Sequence, residues 1–226
     1  MTRSKIAQKI QQTLVRPDAT RDEILQLCDD CVAYQFNGAM IAPIWLPLVV
    51  DRLKDSGITI CTALGYPMGG MTSLAKAFEV RDVIARGAQQ IDFMPAIGFL
   101  KSGQYQAFKQ DIRAVVDAAE GIPIKVMLEF GMLTAKEKTQ AAELAIEAGV
   151  TYLKNSSGWG QGGQATVDDI RLLSRIAQGR ALVKASGGIR TWEQAQAFVE
   201  AGAALLGTSA GVRIVTDSAG KSEDQY

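Results

Sequence analysis

The chain has 226 residues, of which 47% are hydrophobic and 21% are charged, and its formal net charge is zero. This composition is ordinary for a soluble globular protein, and the length suits one α/β-barrel domain better than two small domains. The balanced charge argues against nucleic acid or an anionic membrane as a partner, and no apolar run approaches the length of a bilayer span.

Short apolar runs alternate with longer helical patterns along the chain. Strands are predicted at 8–14, 38–42, 58–64, 89–95, 124–129, 151–155, 181–185 and 204–208. Helices are predicted near 20–35, 44–55, 72–87, 104–120, 135–148, 167–178 and 191–201, with Thr166 and Thr191 as N-caps. Eight such units are typical of a (β/α)8 TIM barrel, here a single domain (1–226) with an extra N-terminal helical segment and a flexible tail at 216–226. A doubly wound open sheet is the alternative.

The sequence contains no histidine, which excludes Ser-His and Cys-His hydrolases and His-ligated zinc enzymes. Acid–base chemistry must then come from Lys, Asp, Glu, Tyr or Cys. Cys28 and Cys31 form a C-x-x-C motif inside a predicted helix, where small buried residues are a better interpretation than a redox or metal site. The polar start, MTRSKIAQKIQQ, lacks the apolar core of a signal peptide, so a cytoplasmic location is expected.

Two lysines, Lys154 and Lys184, end short apolar strands, and each leads into a turn of small residues. Two ammonium groups about 4 Å apart at an effective dielectric near 20 repel by about 4 kcal/mol. That repulsion equals roughly three pKa units, enough to leave one amine free to attack a carbonyl at neutral pH. A lysine that only extends its amine to solvent is the alternative, but two lysines in the same setting favour chemistry.

Because the carboxyl ends of the strands form the active face of a barrel, several polar groups are expected there. They are Asp92, Glu129, Lys154 and Lys184, with Lys125 near the start of its strand. Glycine-bearing turns follow three of the last strands, at 160–163, 187–188 and 207–209, and such turns offer backbone N–H groups to a phosphate.

The chain resembles the 2-deoxyribose-5-phosphate aldolase family, class I aldolases with a barrel fold, from about Thr13 to Val215. The resemblance rests on KASGGIRTWEQAQAFVEAGAALLGTS, AGVTYLKNSSGWGQGGQATVDDIRLL and IDFMPAIGFLKSG. It implies that Lys154 forms the Schiff base, that Lys184 is the charge that keeps this amine deprotonated, and that Asp92 works with Lys184 in proton transfer. The phosphate would lie on Gly187, Gly188, Gly207, Ser209 and Gly162.

The implied reaction is the reversible cleavage of 2-deoxy-D-ribose 5-phosphate to D-glyceraldehyde 3-phosphate and acetaldehyde, without a cofactor or a metal. Some family members end in a tyrosine that donates a proton, and this chain ends in Tyr226, although a chance tyrosine is an equal alternative. The expected partner is a small sugar phosphate or aldehyde, not nucleic acid or membrane. A homodimer is the expected assembly.

Several positions around the expected site differ from the family's usual residues. They are Gln11, Gln12, Met40, Ala42, Ala96, Phe130 and Ala210, together with the Asn155-Ser156-Ser157 stretch after Lys154. These changes keep the amines but replace hydrogen-bonding groups by apolar ones, and such groups set substrate specificity steeply. A sister class I aldolase with other aldehydes is therefore the second hypothesis, and a sugar-phosphate-binding barrel without catalysis is the third.

Overall fold

Eight parallel strands close into a barrel in the computed structural model, which describes residues 1–159 and 163–216. Each strand pairs with the next one in sequence, and the last pairs with the first. The strands are β1 (Ile10–Leu14), β2 (Gly38–Ile41), β3 (Thr59–Leu64), β4 (Gln90–Phe93), β5 (Ile124–Met127), β6 (Tyr152–Lys154), β7 (Leu182–Ser186) and β8 (Leu205–Thr208). The predicted (β/α)8 barrel is confirmed, and the open sheet is wrong.

Helices surround the barrel and fill the connections between strands. They are α1 (Arg3–Ala7), α2 (Arg21–Ala33), α3 (Leu46–Arg52), α4 (Ser73–Ala85), α5 (Ile97–Lys101), α6 (Tyr105–Ala118), α7 (Ala135–Glu147), α8 (Val167–Ala177), α9 (Trp192–Glu200) and α10 (Gly211–Thr216). The N-terminal helical segment is α1. Helices α5 and α10 were not predicted, because five or six residues are too few to show a helical period.

Threonine residues mark where most of these helices begin. Each accepts a hydrogen bond from a backbone N–H of the first helical turn, which satisfies one of the N–H groups that lack an intrahelical partner. The capping residues are Thr2, Thr20, Thr72, Thr134, Thr166 and Thr191. The predicted caps of α8 and α9 are confirmed, and the local sequence thus fixes both helix starts.

The main core lies between the outer face of the barrel and the helices. On α8, for example, Ile170, Leu173 and Ile176 are buried at a spacing of three residues, which is one face of a helix. Cys28 and Cys31 are fully buried on α2, and burial raises the pKa of the Cys28 thiol to about 11. That environment favours the structural interpretation of the C-x-x-C motif.

The inside of the barrel is largely polar and charged. Its fully buried side chains include Gln11, Asp92, Lys125 and Lys184. A small apolar cluster, hereafter the methionine cluster, consists of Met40, Cys61, Ala63, Met94 and Met127. Across the described helices, none combines the length and the apolar character that a membrane-crossing segment requires.

Candidate active site

Asp92 lies at the centre of the barrel and contacts three lysine amines. Its Oδ2 accepts hydrogen bonds from the Nζ of Lys154 at 2.8 Å and from the Nζ of Lys184 at 2.7 Å. Its Oδ1 lies 3.2 Å from the Nζ of Lys125. The structure therefore brings together Lys154, Lys184 and Asp92, and adds Lys125 as a direct partner of the same carboxylate.

The stagger of the strands explains how residues from different strand positions meet. Asp92 is level with Lys125 in the β4–β5 pairing, whereas Lys154 is level with Met127 on β5 and with Lys184 on β7. Tilted strands in a closed barrel shift their register steadily around the ring. Long lysine side chains then span the remaining difference in height, so their amines converge on one carboxylate.

The charges in this cluster shift the pKa values of two of its members. Burial alone would raise the pKa of Asp92, but Lys154, Lys184 and Lys125 outweigh it and hold that pKa far below its usual range. Burial lowers the pKa of Lys184 to about 7, which Lys154 and Lys125 reinforce and Asp92 opposes. Asp92 is thus an anion at neutral pH, and Lys184 exchanges its proton in the range where acid–base groups are most effective.

Lys184 makes one further hydrogen bond, and a glycine on the neighbouring strand leaves space for its side chain. Its Nζ donates to the Oε1 of Gln11 at 2.6 Å. A Cβ atom at Gly207 would stand 3.1 Å from the Cε of Lys184, so glycine leaves the room that this lysine occupies. Lys154 also has its Nζ 3.6 Å from the Sδ of Met127, and it retains 7% exposure of its side chain whereas Lys184 has none.

Comparison with known proteins gives a consistent family assignment. The family model of the DeoC/LacD family aldolases matches residues 12–216. This chain belongs to that family. It is 47% identical to a deoxyribose-phosphate aldolase of Shouchella clausii (96% of this chain, 97% of the relative) and 42% identical to one of Halalkalibacterium halodurans (100% of both).

A solved structure shows the same architecture. The deoxyribose phosphate aldolase of Aeropyrum pernix, described as a tetramer, superposes with a TM-score of 0.88 at 27% identity, over 95% of this chain and 91% of that one. The resemblance on which the sequence interpretation rested is thereby confirmed. Aldolases make and break carbon–carbon bonds, so the chain is a carbon–carbon lyase of this family.

In this aldolase, side-chain hydrogen bonds hold the loop after Lys154 against strand β7. Asn155 binds both backbone groups of Ser186: its Nδ2 donates to the carbonyl oxygen at 3.0 Å, and its Oδ1 accepts from the N–H at 2.9 Å. Ser186 Oγ in turn donates to the carbonyl oxygen of Ser156 at 2.6 Å. These hydrogen bonds fix the position of Lys154 relative to Lys184. Asn155, which departs from the family's usual residue, makes two of them.

Glu129 was expected on the active face, and the structure gives it a contact with the same loop. Its carboxylate accepts a hydrogen bond from the backbone N–H of Ser157. Burial raises the pKa of this carboxyl, although the hydrogen bond opposes the shift. The residue has a positive φ of 48°, which bends the chain at the end of β5 before the buried Phe130. The carboxylate therefore orders the loop that follows Lys154, and it makes no hydrogen bond to the three amines of the described cluster.

The two described glycine turns lie side by side at the ends of β7 and β8. Ser186 of β7 is level with Gly207 of β8, so Gly187 and Gly188 lie next to the turn that contains Ser209. Gly187 and Gly188 have φ values of 104° and 69°, a region that disfavours other residues. Gly162 and Tyr226 lie outside the described residues.

Gln12 supports the second of these turns. Its Nε2 donates to the carbonyl oxygen of Ser209 at 3.1 Å, and its Oε1 accepts from the N–H of Gly211 at 2.9 Å. Ala210 donates its own N–H to the hydroxyl of Thr208 at 2.9 Å. The sequence marked Gln12 and Ala210 as departures from the usual pattern, and the structure shows that both take part in the backbone order of this turn.

An open pocket lies at the carboxyl ends of β1–β3, and Ala63 in its lining is level with Asp92 on β4. The pocket has a volume of roughly 470 Å³, and Val15, Ala42, Ala63, Tyr66 and Glu79 are among its lining residues. Ala63 belongs to the methionine cluster, and Val15 and Tyr66 pack against it; the cluster also includes the Met127 that touches Lys154. Of the two departures on this side, Ala42 thus lines the pocket and Met40 belongs to the methionine cluster.

A second buried ion pair supports the loop after β4. Lys76 on α4 and Asp111 on α6 are 2.7 Å apart and almost fully buried. Asp111 also accepts hydrogen bonds from the hydroxyl of Ser73 at 2.8 Å and from the N–H of Ala96 at 2.9 Å. The sequence does not predict this pair, because its members lie 35 residues apart on helices with no local pattern that joins them.

Proposed function

We propose that this chain is a class I aldolase that cleaves 2-deoxy-D-ribose 5-phosphate reversibly to D-glyceraldehyde 3-phosphate and acetaldehyde through a Schiff base on Lys154. The observation that carries the proposal is the pair of amines on one carboxylate, with Lys154 and Lys184 on the same oxygen of Asp92. The relatives named deoxyribose-phosphate aldolase support the choice of substrate, since they match nearly the whole chain.

In the proposed reaction the Nζ of Lys154 attacks the aldehyde carbon C1, and the carbinolamine loses water to give an iminium ion. This ion accepts the electron pair of the C2–C3 bond as the C3 hydroxyl loses its proton, because C2 and C3 are the α and β carbons of the imine. Glyceraldehyde 3-phosphate leaves and an enamine remains. Protonation at C2 and hydrolysis then release acetaldehyde and restore the amine.

Asp92 and Lys184 have unequal parts in this scheme. The pKa of Asp92 is held so low that its carboxylate is a weak base, whereas the pKa of Lys184, about 7, suits proton transfer at neutral pH. We therefore assign the proton transfers to Lys184, and to Asp92 the role of holding the amines and accepting a hydrogen bond from the C3 hydroxyl. Lys125 contributes a third positive charge that keeps Asp92 ionised.

The phosphate is placed, in this proposal, over Gly187, Gly188, Gly207 and Ser209. Backbone N–H groups of glycine turns bind phosphate oxygens without a side chain in the way. The adjacent ends of β7 and β8 and the ordering of Ser209 by Gln12 support this placement. Gly162 and a proton donor at Tyr226 stay predictions.

Reductive trapping tests the proposal. Borohydride added with deoxyribose 5-phosphate, or with acetaldehyde, is expected to leave a stable adduct on Lys154 that peptide mass mapping locates. Lys154→Met should give neither adduct nor turnover, and Lys54→Met, at an exposed lysine, should give both. An adduct on another lysine, or none, would contradict the mechanism; ligand binding without turnover that survives Lys154→Met would favour the non-catalytic barrel.

The methionine cluster favours a second candidate, a sister class I aldolase with other aldehydes. Met127 touches the Lys154 amine, and Met40 and Ala63 extend an apolar surface from it to the pocket. Such a wall offers no partner for a substrate hydroxyl. A panel of aldehyde pairs decides: kcat/KM for another aldol well above that for deoxyribose 5-phosphate would establish this candidate.

We further propose that the whole chain forms one domain, acts in the cytoplasm and assembles as a homodimer. Leu74 and Phe78 lie four residues apart on α4 with 77% and 69% exposure, and an interface would bury such apolar side chains. Light scattering after size exclusion gives the assembly, with the tetramer of the Aeropyrum pernix relative as the alternative outcome. Cell fractionation gives the location.

A further inference from the structure

Gln11 is a fully buried side chain whose amide has a fixed orientation. Its nitrogen donates one hydrogen bond to the Oδ1 of Asn37 at 3.1 Å and another to the Oε1 of Gln90 at 2.9 Å. Both amide hydrogens are thereby used. The oxygen must consequently face Lys184, from whose Nζ it accepts a hydrogen bond at 2.6 Å.

The groups that face Lys184 carry more positive than negative charge. From β4 comes the carboxylate of Asp92, from β5 and β6 come the amines of Lys125 and Lys154, and from β3 comes the thiol of Cys61. Strand β8 contributes Gly207, which has no side chain. Among the described residues, the carboxylate of Asp92 thus pairs with three buried amines. The contact from β1 is the neutral amide of Gln11.

A neutral acceptor at this place has a different effect from a charged one. An amide oxygen fixes the position of the Lys184 nitrogen with one hydrogen bond, but it stabilises an ammonium ion less than a carboxylate does. A carboxylate within 4–6 Å of an ionisable group shifts its pKa by about one to three units. The choice of amide or carboxylate on β1 therefore decides at which pH the amine cluster loses its first proton.

We propose that Gln11 is a positioning residue that holds Lys184 on Asp92 with a neutral acceptor and so sets the lower pH limit of the reaction. The proposal rests on the proposed function, because the limit matters only if a free amine does the chemistry. Hydrogen bonds join Asn37 and Gln90 to Gln11, and Gln11 to Lys184.

Gln11→Glu is the main test, since it changes the charge and keeps the size. The acid limb of the kcat/KM profile with deoxyribose 5-phosphate is expected to move up by about one to three pH units, with activity largely regained above the new limit. Gln8→Glu makes the same chemical change at an exposed residue before β1, and its profile should match that of the parent. An acid limb that stays in place while kcat/KM falls equally at every pH would overturn the proposal.

Asn37→Asp gives a milder version that keeps the hydrogen bonds of Gln11. An aspartate oxygen can still accept from the Gln11 amide, and its charge lies one side chain further from Lys184, at a partly exposed residue. We expect an upward shift of less than about one pH unit. Should Gln11→Glu not fold, this variant decides, and an unshifted acid limb again overturns the proposal.

NMR titration of the lysine Nζ and Cε signals separates the two proposals. In protein labelled at lysine, the signal lost in Lys184→Met identifies Lys184, and its midpoint should rise in Gln11→Glu by the same number of units as the acid limb. A raised midpoint in a protein that gives no lysine adduct would retain the role of Gln11 and reject the aldolase mechanism. An unchanged midpoint in a protein that gives the lysine adduct would retain the aldolase mechanism and reject the role of Gln11.

Discussion

Lys184→Met tests the electrostatic account of the cluster through protein stability rather than through turnover. Methionine has a similar length and no charge, so it can occupy the space beside Gly207. Because the desolvated amine is lost while Asp92 keeps two ammonium partners, the variant is expected to be at least as stable as the parent at pH 7. Turnover should fall by about 10²- to 10⁴-fold, since a proton-transfer group is removed.

The expected pH dependence of the free energy of unfolding follows from the pKa of Lys184, which folding lowers from 10.5 to about 7. Between these values the unfolded chain keeps the lysine proton and the folded chain has released it, so the free energy of unfolding rises with pH. At about 1.4 kcal/mol per unit, the rise between pH 7 and pH 10 amounts to at most about 4 kcal/mol. Lys184→Met lacks this contribution, so its stability should gain less over the same range.

Urea denaturation followed by circular dichroism at pH 7, 8, 9 and 10 measures the difference. Subtracting the two curves removes the titration of groups that both proteins share, such as the buried cysteines. Lys54→Met serves as the control, because that lysine is exposed and its loss should leave the pH dependence of the parent. Parallel curves for parent and Lys184→Met would refute the reasoning, since they would mean that this amine keeps its proton on folding.

Three further predictions concern the surroundings of the amines. Asn155→Ala should lower the free energy of unfolding by about 2–4 kcal/mol in denaturant titration, because both backbone groups of Ser186 lose their side-chain partner; Asn155→Asp, which keeps one of them, should lose less. Lys76→Met should cost about 3–5 kcal/mol in the same assay by leaving Asp111 buried without its cation, and the double change with Asp111→Leu should recover much of it. Ser209→Ala should raise KM for deoxyribose 5-phosphate about 10-fold in steady-state kinetics, and leave KM for unphosphorylated deoxyribose unchanged; equal changes for both substrates would place the phosphate elsewhere.

The fold was predictable because each level of the sequence agreed with it. Short apolar strands recur eight times, threonine caps begin six of the described helices, and the lysines near the ends of β6 and β7 are unlike ordinary core residues. Lys154, Lys184 and Asp92 could therefore be grouped on one face before any geometry was known. Sequence position along a strand was enough for these three, because each side chain points into the barrel near its carboxyl end.

Lys125 shows what the sequence could not supply. It lies at the second residue of β5, near the start of the strand, yet the stagger between β4 and β5 makes it level with Asp92. The register shift is a property of the closed ring and is invisible in one strand. The partners of Gln11 and Asp111 were unpredictable for the related reason that they come from distant elements, which only the folded barrel brings within hydrogen-bond distance.

The space that Gly207 leaves for Lys184 has a consequence for any attempt to improve this protein. Lysine stems here take the place that leucine or valine holds in other barrels, so the side chains assigned to the chemistry are also packing material. A mutational scan should find that truncating these lysines to alanine lowers both turnover and stability, whereas Lys184→Met, which keeps the volume of the stem, lowers turnover alone. Engineers who want a more stable catalyst should therefore work on the outer helices. Those who want new substrates should begin at Met40 and Ala63 of the methionine cluster rather than at Met127, which touches the Lys154 amine.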